Sequence, residues 1–201
     1  MIRWGLPMAL LALAACTAEP VWAPDTEVQR FRYSDGGPPS LTLYTVLSTK
    51  NGSGAHTALL VNGSERVLFD PAGTFRIPIA PERNDVLYGV DPRVESVYVD
   101  YHARETFDVV RQEIAVSPAV AEMALREVQD YGAVPKARCS LAVGQVLRGL
   151  PGFEGFSAGY SPKRTMAAFA DYAGPGETIT DDDADDNHGV LMRAADLVPA
   201  E

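Results

Sequence analysis

Cys139 heads the apolar stretch CSLAVGQVLRGL (139–150), and Cys16 is the only other cysteine of the chain. A thiol attacks as the thiolate, so nucleophilic chemistry here requires a lowered pKa. The start of a helix supplies partial positive charge and free N–H groups, and Lys136 and Arg138 add positive charge nearby. The competing reading is a small hydrophobe on a buried helix stripe.

A nucleophile of this kind needs a base. His188 sits in the acidic run DDDADDNHG (181–189) and reads as solvated, and His102 ends a predicted strand with no partner in view. His56 follows the glycine-rich loop TKNGSGA (49–55) and opens an apolar strand, which sets its ring at a strand edge facing a cleft. A surface or hydrogen-bonded structural histidine is the alternative. A third polar group often orients such a ring and fixes its tautomer. Asp70 ends the strand that pairs with the His56 strand, although Asp-Pro at 70–71 is also an ordinary turn start. With a three-residue turn at 62–64, Val61 pairs with Glu65 and His56 lies opposite Asp70, within reach on one face. A two- or four-residue turn sets Thr57 there instead.

The elements around these residues follow from periodicity. LTLYTVLS (41–48) alternates as a strand, and 56–73 reads as a hairpin around Asn62-Gly63-Ser64. Residues 74–93 are proline-rich and irregular, and 94–102 and 106–116 are predicted as a second hairpin. Ser117 and Pro118 then open a helix with Val120, Ala124, Val128 and Tyr131 on one face, ended by Gly132. A second helix spans 138–150 with Cys139, Val143, Val146 and Leu150 on its stripe, and a third spans 161–172. Strands first and helices last imply an α+β fold.

The N-terminus points to a location. One charge, Arg3, precedes an apolar run too short to span a bilayer, and Leu13-Ala14-Ala15-Cys16 resembles a bacterial lipobox. The resemblance implies cleavage after residue 15 and a diacylated, N-acylated Cys16, a firm membrane anchor at about 0.8 kcal/mol per buried methylene. Thr17, where enteric-type sorting would use Asp for inner-membrane retention, favours the outer membrane, with the protein facing the periplasm. Residues 16–40 read as lipidated terminus and tether with one short ordered piece near 28–33, 41–175 as one domain, and 176–201 as an acidic tail. With Cys16 lipidated, Cys139 has no intramolecular partner, and a lone thiol in an oxidising compartment is either buried or used.

The formal net charge is −10, and −11 once Arg3 leaves with the signal. Such a surface argues against nucleic acid and against cationic adhesion to anionic lipid. The acidic run fails as a calcium loop, because a glycine at the sixth position places Ala184 at the first ligand. NGSG (51–54) lacks the context of a phosphate loop. No metal or cofactor is expected.

Taken together, GAHTALLVNGSERVLFDPAG (54–73) followed much later by ARCSLAVGQVLRGL (137–150) resembles a circularly permuted papain-like, NlpC-type cysteine peptidase or amidase. In that permuted order the histidine strand precedes the cysteine helix. The resemblance covers roughly 41–172, and GYSPKRTMAAF (159–169) resembles the Pro-led helix that follows in permuted members. Two features depart from the pattern: Arg138 stands where many permuted members have Asn, and the turn is longer than usual. The resemblance implies a permuted papain-like fold, an antiparallel sheet against C-terminal helices, with Cys139 as nucleophile, His56 as base and Asp70 as its partner. It implies thiol-dependent amide hydrolysis, and the envelope location suggests cell-wall peptide as substrate. Two alternatives stand beside it. One is lipid acyl hydrolysis or transfer on the same residues, as in relatives of the lecithin–retinol acyltransferase type. The other is a non-catalytic lipoprotein that binds or scaffolds, with an inert thiol and no path from Cys139 to His56.

Overall fold

The computed structural model describes residues 18–181 and Leu191. The signal segment with Cys16, and His188 with most of its acidic run, lie outside the described residues. Seven antiparallel strands form one sheet in the order β4-β5-β3-β2-β1-β6-β7. Its centre is β1 (Ser40–Ser48), β2 (Gly54–Asn62) and β6 (Phe107–Ala115), flanked by β3 (Arg66–Phe69) and the short β4 (Glu82–Arg83), β5 (Val86–Leu87) and β7 (Glu177–Ile179). Among the described residues there are five helices: α1 (Asp25–Phe31), α2 (Pro92–His102), α3 (Pro118–Asp130), α4 (Cys139–Arg148) and α5 (Pro162–Ala173). The fold is α+β, with the sheet built mostly from the N-terminal half and the helices mostly C-terminal.

Successive residues of a strand point to opposite faces, and the central strands are buried on both. One face carries Leu41, Leu43, Leu59 and Val61 and packs against α3, α4 and α5 through Leu125, Val143, Leu147 and Phe169. The other carries Tyr44, Val46, Ala58 and Leu60 and packs against α2 and the 75–90 segment through Tyr98, Val94, Phe75 and Ile79. The sheet is therefore a partition: α2 covers one side of it and the cysteine helix the other.

The chain differs from the sequence expectation at 94–102, which is α2 rather than a strand. Asp91 caps the helix by accepting hydrogen bonds from the N–H groups of Arg93 and Val94, and Pro92 occupies the first turn. Val94, Tyr98 and Tyr101 then fall on one buried helical face. The run VESVYVDYH satisfies both periods, and the start signal with the packed face outweighs its β-branched content. Strand β6 pairs with β1 instead of forming a hairpin with 94–102.

Part of the stretch expected as a tether is attached to the domain. Trp22 bridges to Arg83, Val28 and Phe31 pack against the two cores, and the Arg66 N–H donates to the Tyr33 carbonyl at 2.9 Å. At the other end β7 pairs with β6 inside the stretch expected as tail. No described helix is long and apolar enough to cross a membrane.

Candidate active site

His56 and Asp70 lie on adjacent strands, in a register one step from the expected one. Asn62 pairs with Arg66 and Leu59 with Phe69, so the turn is Gly63-Ser64-Glu65. Continuing that ladder sets Ala58 opposite Asp70, with His56 on the diagonal of the same face. Diagonal neighbours remain within reach of long side chains, and His56 Nε2 meets Asp70 Oδ1 at 2.6 Å. The slip keeps the side-chain parity, which is why the pair survives it. A bulge also helps: Val46 pairs with His56 but Leu47 pairs with Gly54, which leaves Ala55 as the extra residue just before the histidine. Bulges bend the strand and re-aim the neighbouring side chain.

Asp70 is held from several sides. The Tyr98 hydroxyl of α2 donates to the same Oδ1 at 2.9 Å, and the Asp70 N–H donates to the Asp85 carbonyl at 2.8 Å. Gly73 closes the turn, its N–H donating to the Asp70 carbonyl at 2.9 Å. A Cβ on residue 73 would lie 1.8 Å from Asp70 Oδ2, so the carboxylate occupies the space that any other residue would fill. Between them Ala72 has φ +58°, a left-handed conformation uncommon outside glycine.

Cys139 approaches from the other side of the sheet as the first residue of α4. The starts of α2, α3 and α5 are capped by the side chains of Asp91, Ser117 and Ser161, whereas Arg138 puts no side-chain hydrogen bond on the start of α4. Its first N–H groups have no intrahelical partner, and no cap competes for them. The thiol is buried, and the His56 ring and the N–H groups of Thr57 and Ser140 are the groups that act on its charge. Asp85 ties the two loops together: its carboxylate accepts from the Val134 N–H at 2.7 Å, ahead of Cys139, and its carbonyl accepts from the Asp70 N–H at 2.8 Å.

The charges follow from these contacts. Burial pushes the His56 pKa down, but the Asp70 charge and hydrogen bond, with the Cys139 thiol behind them, raise it to about 10. Burial pushes the Cys139 thiol up, but the His56 hydrogen bond and charge, then the two backbone N–H groups, bring it below its ordinary value. Burial likewise raises Asp70, and His56 more than offsets it, holding the carboxyl below its usual range. His56 and Cys139 each shift the other, so they titrate as a coupled pair.

No protein-family model matches this sequence, and no curated protein or solved structure matches it. What the site does must therefore be argued from its own chemistry.

Three residues of the site were not singled out by the sequence. His102 stacks on His56 with ring centroids 5.7 Å apart, and its Nδ1 donates to the Tyr98 carbonyl at 2.9 Å, leaving Nε2 as an acceptor. Its placement at the end of a predicted strand hid it; the Asp91-Pro92 helix start was the available signal. Tyr98 was hidden for the same reason, and Asp85 acts through distant loops that no local pattern links. Ligand atoms of His56, Asp70 and His102 lie within 4.8 Å of one another and are the described residues able to hold a metal ion. Cys139 stands outside that group of three. Because His56 and Asp70 are hydrogen-bonded to each other and Tyr98 uses the same carboxylate oxygen, these groups already satisfy one another without an ion.

His56 faces a cleft of about 210 Å³ whose walls include Val46, Tyr101, His102 and Arg104. That volume suits one side chain or a small acyl group rather than a drug-sized ligand, for which pockets start near roughly 300 Å³. The 72–74 turn forms one wall of this cleft and, on its other side, borders a hollow lined by Asp85, Val134 and Lys136.

Proposed function

We propose that the protein is a cysteine hydrolase of amide bonds, with a permuted papain-like fold and with Cys139 as nucleophile, His56 as general base and acid, and Asp70 as the group that orients His56. One observation carries the reading: His56 bonds the buried Asp70 carboxylate at 2.6 Å and is the side chain that most lowers the pKa of the buried Cys139 thiol. That is the nucleophile–base–orienter arrangement thiol hydrolysis needs. Further support comes from the uncapped start of α4 and from the order of the chain, histidine strand before cysteine helix.

In this scheme His56 holds the Cys139 proton, and the thiolate adds to the amide carbonyl. The developing oxyanion takes the backbone N–H of Cys139, free at the helix start, as one donor. His56 then gives its proton to the leaving amine, and the acyl group stays on sulfur as a thioester. Water enters, His56 takes its proton, and the carboxylic acid leaves with the thiol restored. The lipobox-like N-terminus supports a location at the cell envelope, and cell-wall peptide is the substrate class that would fit it.

The test is to incubate the full-length protein with stem peptides prepared from peptidoglycan and to count new amino termini by mass spectrometry. The reading requires release by the wild type and a loss of at least about 1,000-fold in Cys139→Ala, as for other removed nucleophiles. Equal release by both proteins, or none from any peptide, would remove it.

A further inference from the structure

Arg104 stands apart among the cations of this acidic chain. Among the described residues the other buried or half-buried arginines, Arg66, Arg83 and Arg111, each meet a carboxylate, on Glu95, on Asp25, and on Glu95 and Glu113. Arg104 is half-buried and meets no carboxylate among the described residues, although acidic residues outnumber basic ones 27 to 17. It follows the C-cap residue Ala103 of α2, and its backbone is fixed by reciprocal hydrogen bonds with Phe107, each 2.8 Å. Its guanidinium lies 5.0 Å from the centre of the Phe107 ring, a cation–π contact that holds it in place. Its Nε is shielded from solvent with no hydrogen-bond partner. Arg104 lines the cleft that His56 and His102 share.

A buried N–H donor without a partner is costly, and an arginine fork matches a carboxylate with two parallel hydrogen bonds. We propose that Arg104 is an anion-recognition residue of this cleft and that the substrate of Cys139 carries a carboxylate close to its scissile amide. The substrate half of this statement rests on the cysteine-hydrolase reading, whereas carboxylate binding by Arg104 does not. The remaining walls agree with a small acidic residue as occupant. Val46, Ala55 and Phe107 are apolar, and the Tyr101 hydroxyl is hydrogen-bonded to Thr74 Oγ1 at 3.0 Å. The acidic exterior repels anions generally, so a cation in the cleft that meets no carboxylate among the described residues makes the preference local.

Two measurements on the full chain separate the halves. In the first, Cys139 is alkylated with N-iodoacetylglycine and with its neutral twin N-iodoacetylglycinamide. The wild type is expected to favour the carboxylate probe by roughly tenfold, the weight of one charge-assisted hydrogen-bond pair. The ratio should fall to about one in Arg104→Gln and lie between in Arg104→Lys, which keeps the charge without the fork. A ratio that is the same in all three proteins overturns the proposal. In the second, nitrogen-15 spectra of the Arg104 Nε–H are recorded in Cys139→Ala during titration with N-acetylglycine, N-acetylglycinamide and glycerol 3-phosphate. A saturable shift with N-acetylglycine alone supports the subsite even if the thiol proves inert and the hydrolase reading fails. No shift, or a larger one with glycerol 3-phosphate, which would point to a lipid headgroup, overturns it.

Discussion

His56 and His102 lie face to face, their ring planes 7° from parallel, and hold protons very differently. Burial disfavours the charged form of both. His56 has a carboxylate on Nε2, and the charge and hydrogen bond of Asp70, with a smaller contribution from Cys139, raise its pKa to about 10. His102 has a backbone carbonyl for its one hydrogen-bonded nitrogen, and burial, with the charge of His56 added, lowers it to about 4 against the opposing pull of Asp70. Two rings in one hollow thus divide the labour. One carries a proton at neutral pH and the other stays neutral and accepts hydrogen bonds. What distinguishes them is a strand register that points Asp70 at one ring and a helix that turns the other toward its own backbone.

The strongest way to break this contrast is Asp70→Asn, which removes the charge that raises His56. Alkylation of Cys139 at pH 6 should then slow by about 100-fold, because an unpaired thiol with a pKa near 8.5 is almost wholly protonated there. Stability should fall by about 3–5 kcal/mol, the usual cost of stripping one partner from a buried charged pair; urea titration reads this directly.

Gly73→Ala perturbs the same carboxylate without changing its charge. The new methyl needs the space of Asp70 Oδ2, so the carboxylate must move. A cost of about 1–3 kcal/mol is expected, with alkylation slowed by roughly tenfold as the His56 contact lengthens.

His102→Gln acts on the other ring, and its readout is pH rather than rate. A histidine neutral when folded but with an ordinary pKa near 6.5 when unfolded favours the unfolded chain in acid. Its stability contribution is complete above pH 6.5 and is lost as pH falls toward about 4. His56 has the opposite sign. Its contribution is complete below pH 6.5 and is lost as pH rises through about 10. His102→Gln should therefore flatten the acid limb of the stability curve between those values and leave the alkaline limb in place. Thermal melts across pH 4–10 distinguish the two.

The smallest effect is expected from Tyr98→Phe. It deletes one of the hydrogen bonds to Asp70 and leaves the His56 contact, so about 1 kcal/mol of stability should be lost, with alkylation changed less than about twofold. A large rate loss would show that Tyr98, not the strand register, holds the carboxylate in place.

Much of this arrangement was legible before the fold was known. Alternation marked β1, the Asn-Gly turn marked the β2–β3 hairpin, and Ser-Pro starts marked α3 and α5. Cys139, His56 and Asp70 stood out because each sits at the end of an element, where a side chain is both fixed and free to face a cleft. Side-chain parity preserved the His56–Asp70 pair although the turn fell one residue later than expected. Residues 94–102 were misread because valine and tyrosine spacing there fits strand and helix alike, and with that helix went His102 and Tyr98. Asp85 was beyond reach for a different reason. Its backbone has φ +67°, and its partners at Asp70 and Val134 are joined only by the folded chain.

The most direct test is the rate of Cys139 alkylation against pH in the full chain carrying Cys16→Ser, with and without His56→Ala. A thiol paired to His56 should titrate well below the ordinary 8.5 and return toward that value when the histidine is removed. Identical profiles in the two proteins, or a thiol inert at every pH, would contradict the pairing on which the proposed chemistry stands.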